Sequence, residues 1–285
     1  MASAGTSTGT TTSTGDGLLI REVWAANLEE EFRLISKIVD DYPYLAMDTE
    51  FPGVVFYPVG SFQSDAEYKY AELRDNVNLL KLIQLGFTFS DKNGNLPKCG
   101  TNQECVCQFN FREFNSHIDK HNSFSIEMLK KCGIDFQRNE QYGIDSKVFR
   151  DLFMSSRVVL NENVLWISFQ GKYDFGYLIK LLTNQDLPKD QAEFFKLFRT
   201  YFPKSYDIKN LLKLCSKELR GGLENLANKL KVERVGTKHQ VCSDSLLTSR
   251  VFWKLQQGFS EEHAWISFRD LRHVQSLVIE ETNCS

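Results

Sequence analysis

Leu28, Phe32, Ile35 and Val39 recur at helical spacing with acids between them, and predict a helix over 27–40 that stops at Asp40-Asp41-Tyr42-Pro43. Tyr44 to Glu50 reads as a strand. The apolar run Leu79 to Phe89 predicts a segment that begins as a helix and passes into a strand at Ile83–Phe89. The turn chemistry of Asp91-Lys92-Asn93-Gly94-Asn95 then returns the chain as a second strand, Val106 to Phe111. Val158-Val159-Leu160 predicts a helix end, and Leu165 to Phe169 a buried strand. Phe175, Leu178, Ile179 and Leu182 share one helical face. Ser205 to Cys215 predicts a short strand or turn leading into a helix, and Gly221-Gly222 opens a helix from Leu223 to Leu230. A last helix starts at Ser243 and carries Leu246, Leu247, Val251, Phe252 and Leu255.

Strands and helices alternate from residue 18 onward with no Pro/Gly-rich linker and no internal repeat. This predicts an α/β fold, a single domain over 18–285 with a mostly buried mixed sheet flanked by helices. Residues 1–17 are almost all Ser, Thr, Gly and Ala, and predict a disordered head because they bury too little apolar area to offset ordering entropy. The 285 residues as a whole are 42% apolar, enough for a sizeable core. A net charge of −3 argues against a protein that grips nucleic acid mainly by neutralising phosphates. The seven cysteines, odd in number and scattered, predict reduced thiols in a cytosolic or nuclear protein. No apolar run is long enough to cross a membrane.

Three acidic signatures change this picture: Met47-Asp48-Thr49-Glu50-Phe51-Pro52, Tyr173-Asp174-Phe175-Gly176-Tyr177, and His239-Gln240-Val241-Cys242-Ser243-Asp244. Asp48 and Glu50 lie two apart in a strand-like run, so both side chains point to one sheet face, and the pair repels unless a cation lies between. Taken alone, the pair fits an exposed edge strand equally well. Asp174 opens a helix, where capping is the commoner role. Asp244 joins a helix that Ser243 can cap, and His239, five residues earlier, lies in the preceding loop and can fold back over the same site. Alone, that segment reads as a surface His and a helix-dipole Asp. Together, four carboxylates and an imidazole beside apolar sequence suit two hard cations and phosphodiester cleavage, with the imidazole taking a proton from water.

Asp-x-Glu, a distant Asp and His-x4-Asp form the pattern of the DEDD exonucleases in their HxxxxD branch, and the longer motifs resemble the Caf/Pop deadenylases of the Ccr–Not complex. These motifs are Met47 to Val55, Tyr173 to Leu178 and Ser243 to Thr248, supported by Leu82 to Gly86, Gly143-Ile144-Asp145 and Gly221-Gly222-Leu223. The resemblance runs from about Ile20 to about Leu255. It implies an RNase H-like fold and 3′-to-5′ removal of mRNA poly(A) tails with release of AMP. It also implies two Mg²⁺ or Mn²⁺ ions held by Asp48, Glu50, Asp174 and Asp244, with His239 as general base. Partners implied are the poly(A) tail, the Not scaffold and a Ccr-type nuclease, in cytoplasm and nucleus. Two rival readings are another DEDD exonuclease on other RNA or DNA ends, and an inactive nuclease fold used as a scaffold. The chain departs from the family at Gln170-Gly171-Lys172, where many relatives carry His-Ser-Gly, at the Cys99–Cys107 segment, which resembles an addition of the plant branch, and in the tail after about residue 256.

Other signals are weaker. Cys105-x-Cys107 with His117 and His121 has poor zinc spacing and reads as an insertion loop with free thiols. Phe194, Phe195, Leu197, Phe198 and Phe202 read as core, with a partner-facing helix edge as the alternative. Lys172, Lys209 and Lys238 flank the signatures and read as solvated lysines that are placed to meet phosphates.

Overall fold

Tyr44–Glu50 is an interior strand of the sheet, and its sequence explains its place. Leu45, Ala46 and Met47 are all buried, so both faces of the strand are covered, as a strand in the middle of a sheet requires. The computed structural model describes residues 11–13, 17–215, 219 and 221–262. In chain order the elements are β1 (Thr11–Ser13), β2 (Leu18–Val23), α1 (Leu28–Ile38), β3 (Tyr44–Glu50), α2 (Asp65–Leu79), β4 (Gln84–Ser90) and β5 (Glu104–Asn110). There follow α3 (Ser123–Lys131), α4 (Phe136–Tyr142), α5 (Ser146–Ser155), β6 (Leu165–Ser168), α6 (Lys172–Thr183), α7 (Gln191–Tyr201), β7 (Ser205–Asp207), α8 (Ile208–Cys215), α9 (Leu223–Lys229) and α10 (Val241–Glu262).

The sheet runs β1-β2-β5-β4-β3-β6-β7. β3 pairs antiparallel with β4 and parallel with β6, which pairs parallel with β7, so the sheet is mixed as expected. On one face, α1, α2, α5, α6 and α7 close over the large core, where Phe32, Phe87, Phe109, Phe149, Phe153, Trp166 and Phe175 form a contiguous aromatic cluster. Phe194, Phe198 and Phe202 belong to it, whereas Phe195 and Leu197 are only partly buried at its margin. On the other face, α10 lies across β3 and β4, with Leu247, Val251 and Phe252 packed on Ala46 and Ile167. No helix among the described residues is long and apolar enough to cross a membrane.

Four local expectations are corrected. Thr11–Ser13, inside the head expected to be disordered, pairs antiparallel with Leu19–Arg21, because an edge strand offers free backbone groups to any segment regardless of side chain. The rest of the head lies outside the described residues. Leu79 is the end of α2 rather than the start of a helix, and Leu80 is already extended. Val158-Val159-Leu160 is not helical, because α5 ends at Ser155 and left-handed residues Arg157 (φ 67°) and Leu160 (φ 58°) turn the chain. Finally, α10 begins at Val241, two residues before Ser243, so Ser243 does not cap it. The tail from residue 263 lies outside the described residues.

Candidate active site

Asp48 and Glu50 share the face of β3 that α10 covers, and the close fit of that helix has a local cause. Gly86 of β4 stands opposite Asp48 in the ladder. A Cβ on Gly86 would come within 2.3 Å of the Val241 carbonyl oxygen, so only glycine lets the first turn of α10 approach β4 this closely. That approach carries Asp244, in the same first turn, toward the two acids of β3.

Asp174 reaches the site from the opposite layer. Gln170, left-handed at φ 63°, and Gly171 turn the chain out of β6 into α6, and the Asp207 carboxylate accepts the Gly171 N–H at 2.7 Å and the Ser168 hydroxyl at 3.1 Å. Asp174 is in the first turn of α6 but is not its cap, which is Gly171. Its Oδ1 accepts the hydroxyl of Thr49, the residue between the two acids of β3. Thr49 is thus a positioning residue that carried no assigned role in the sequence.

The third signature folds back as expected. His239 adopts the left-handed conformation (φ 63°), and its N–H donates to Asp244 Oδ2 at 2.8 Å. Asp244 Oδ1 accepts Arg234 Nη1 at 2.7 Å, and the same guanidinium donates to Glu224 Oε2 at 2.8 Å and Ser243 Oγ at 2.9 Å. Ser243 therefore serves the arginine rather than the helix end. Gln240 Nε2 donates to the Cys132 carbonyl at 2.7 Å and ties the loop to the end of α3.

Ligand atoms of Glu50, His239 and Asp244 lie within 4.8 Å of one another, the one such group among the described residues. Asp48 and Asp174 stand beside this tight group rather than within it, and act on it through their charges. Burial, then Asp174, Glu50 and Asp244, push the Asp48 carboxyl well above its ordinary range, against a smaller opposing pull from Arg234. Burial, then Asp244 and Asp174, do the same to Glu50. Burial raises Asp174 to about 6, although hydrogen bonds from Thr49 oppose the rise. Burial lowers His239, against the attraction of Asp244, and favours the neutral imidazole. Two carboxylates within 4.8 Å repel by on the order of 3–4 kcal/mol at an effective dielectric of 20, more than one guanidinium at the edge can offset for four acids. All-oxygen donors with one imidazole suit hard divalent cations, so the residues fit such a metal.

Cys105, Cys107, His117 and His121 form no ligand cluster among the described residues. Lys172 lies with its Nζ 4.9 Å from the Tyr173 ring, whose face stacks on Phe51 at 5.1 Å. Lys209 donates to Gln170 Oε1. Two of the three flanking lysines are therefore engaged with residues of this rim.

A model of the CAF1 family ribonucleases matches residues 23–146. The protein named Probable CCR4-associated factor 1 homolog 7, from Arabidopsis thaliana, is 58% identical over 86% of this chain and 89% of its own length. Poly(A) ribonuclease pop2 of Schizosaccharomyces pombe is 44% identical over 84% of this chain and 70% of its own length. Among solved structures, the Mg²⁺- and Mn²⁺-bound form of S. pombe Pop2p superposes with a TM-score of 0.80 at 43% identity, covering 85% of this chain and 94% of that one. A structure of the yeast NOT1 MIF4G domain co-crystallised with CAF1 matches with a TM-score of 0.72 at 30% identity, covering 87% of this chain and 92% of the matched one. Identity at this level over most of both chains, together with the mixed sheet and the converging acids, means that the chain belongs to the CAF1 ribonuclease family.

Proposed function

We propose that this chain is a divalent-metal-dependent 3′–5′ exoribonuclease that shortens mRNA poly(A) tails and releases AMP. The observation that carries the reading is the gathering of Asp48, Glu50, Asp174 and Asp244, four mutually repelling acids, with the His239 imidazole beside Glu50 and Asp244. Such a cluster is costly in a fold unless cations hold it. The names of the relatives supply the substrate: the S. pombe protein is called a poly(A) ribonuclease, and its structure is described with Mg²⁺ and Mn²⁺.

In this reading Asp48, Glu50, Asp174 and Asp244 would hold two Mg²⁺ or Mn²⁺ ions, which would activate a water and offset the negative charge of the reaction. Thr49 fixes the Asp174 carboxylate, and Arg234 with the His239 N–H fixes that of Asp244. The His239 imidazole accepts the proton of the attacking water. Phe51 and Tyr173, stacked at the rim, offer aromatic faces to a base. We further propose partnership with a Not scaffold and a Ccr-type nuclease, from the naming of the relatives and the co-crystal of CAF1 with NOT1, and a place in cytoplasm and nucleus.

Product analysis on defined substrates tests the proposal. AMP released from poly(A) with Mg²⁺ or Mn²⁺, lost in Asp48→Ala, is the expected result. Equal attack on mixed-sequence RNA and DNA ends would favour a general exonuclease. Absence of AMP with either ion would favour an inactive scaffold.

A further inference from the structure

We propose that the pocket between α6 and the link from α2 to β4 binds a small, uncharged, planar bicyclic molecule that accepts a hydrogen bond from Tyr177. The site is independent of the proposed nuclease activity.

One stripe of α6 builds it. Leu178, Ile179 and Leu182 go into the large core. Tyr177, Lys180, Leu181 and Asn184, spaced i, i+3, i+4 and i+7, form a neighbouring stripe that lines a cavity of about 270 Å³. Leu80 and Leu82, after the end of α2, and Phe111, just after β5, supply the facing apolar wall. Hydrogen bonds fix these walls. Lys180 Nζ donates to the Val77 and Asn78 carbonyls at 2.9 and 2.7 Å, so the ammonium caps the end of α2. Asn78 Oδ1 accepts the Leu187 N–H at 2.8 Å and holds the chain beyond α6, where left-handed Asn184 (φ 51°) has turned it. Lys81 is paired with Asp119 at 2.8 Å, and Glu113 Oε1 accepts the Ser146 N–H at 2.6 Å.

One polar group in this lining is left over. Tyr177 is only 3% exposed, and its hydroxyl is buried with no hydrogen-bond partner. A buried hydroxyl is costly in that state. Burial, with Tyr173 nearby, holds its pKa well above the ordinary range, so it keeps its proton and can donate. Phe51, 5.1 Å away between ring centroids, fixes the Tyr177 ring.

Size and charge narrow the ligand. A single water takes up about 30 Å³, so satisfying the hydroxyl alone leaves most of the cavity unfilled. An apolar cavity of about 150 Å³ takes up benzene, so one of about 270 Å³ suits two fused rings. The lining cations are already engaged, Lys81 by a carboxylate and Lys180 by carbonyls, and Glu113 and Asp186 share the lining. An ion would lose its hydration here without a compensating partner. Apolar wall and one donor remain, and they fit a neutral ring system carrying a ring nitrogen or a carbonyl oxygen.

Isoquinoline is the probe: two fused rings, one ring nitrogen, uncharged in mildly alkaline buffer. Saturation-transfer NMR with the full chain is expected to give a Kd of about 1 mM or better. Tyr177→Phe keeps the ring and removes the donor, and should weaken binding roughly fivefold. It should not lower the melting temperature, because the hydroxyl it removes has no partner. Leu181→Trp should fill the cavity and abolish binding, with melting curves confirming that both variants fold. N-methylisoquinolinium, similar in shape but charged and with its acceptor blocked, should not compete. No saturation transfer to isoquinoline at several times the expected Kd would overturn the proposal. Equal binding by wild type and both variants would also overturn it and mark an adventitious surface contact only. Competition by the N-methyl cation as strong as isoquinoline's own binding would overturn the ligand class. None of these readouts involves AMP release, so each failure leaves the nuclease reading standing.

Discussion

Arg234 Nη1 donates to Asp244 Oδ1 at 2.7 Å, and both side chains are only 12% exposed. A buried carboxylate that loses its cationic partner is left uncompensated, at a cost of about 3–5 kcal/mol in a fully buried pair. Asp244 retains the His239 N–H, so Arg234→Gln is expected to cost less, roughly 1–3 kcal/mol, in metal-free protein. Mn²⁺ should recover part of the loss, because the ion replaces the missing charge, while AMP release still falls because Asp244 is held less firmly. Thermal melts with and without Mn²⁺ read the first effect. An unchanged midpoint and unchanged turnover would remove Arg234 from the site's support.

Gly86→Ala puts a methyl group where the Val241 carbonyl oxygen now lies 2.3 Å from the Cβ position. Backbone is on the receiving side, so α10 must move. The expected cost is about 1–3 kcal/mol of stability, together with a fall in nuclease activity larger than the same loss of stability causes elsewhere, because Asp244 moves with the helix. Comparing it with a core substitution of similar cost in the packing of α1 against α5, such as Phe149→Leu, separates the two effects. Equal activities in the two variants would contradict the role given to Gly86.

Acid pH should stabilise the metal-free protein. Asp48, Glu50 and Asp174 have folded pKa values above their unfolded ones, with Asp174 at about 6, so near neutrality the folded state binds more protons than the unfolded state. Stability therefore rises as pH falls from neutral through about 6, until the acids are protonated in both states. His239, lowered, works in the opposite sense and more weakly, since it is a single, partly exposed group. Divalent metal should remove this dependence and release protons on binding. Melting curves in chelator from pH 8 to 5 test it; a midpoint that falls steadily with acid would contradict the account.

His239→Ala separates base from ligand. Its ring lies within 4.8 Å of the ligand atoms of Glu50 and Asp244, so geometry permits either role. A base role predicts a fall of about two to four orders of magnitude in turnover with Mn²⁺ affinity nearly unchanged. A matching loss of Mn²⁺ affinity would instead make it a ligand.

Much of this site is legible in the sequence, for a physical reason. Strand parity places Asp48 and Glu50 on one face whatever the surrounding fold, and β3 has the bounds its pattern predicts, Tyr44–Glu50. The reach of His239 back toward Asp244 follows equally from five residues of spacing. What the pattern did not show is contact made across the fold. Arg234 is one arginine in a polar stretch until the loop after α9 brings it to Asp244. The Thr49 hydroxyl gains its meaning only from an acid 125 residues away. Ser243 looked like a cap because it precedes an apolar helix, but tertiary packing of α10 on β4 starts the helix at Val241. The head at Thr11–Ser13 follows the same logic, since backbone pairing at a sheet edge needs no side-chain signal.

The account rests on acids from β3, α6 and α10 sharing divalent cations. Anomalous-difference maps from a crystal soaked in Mn²⁺ test this most directly. The account predicts two peaks bounded by oxygens of Asp48, Glu50, Asp174 and Asp244, absent in Asp48→Ala. Maps without peaks there, at Mn²⁺ concentrations that support AMP release, would contradict it.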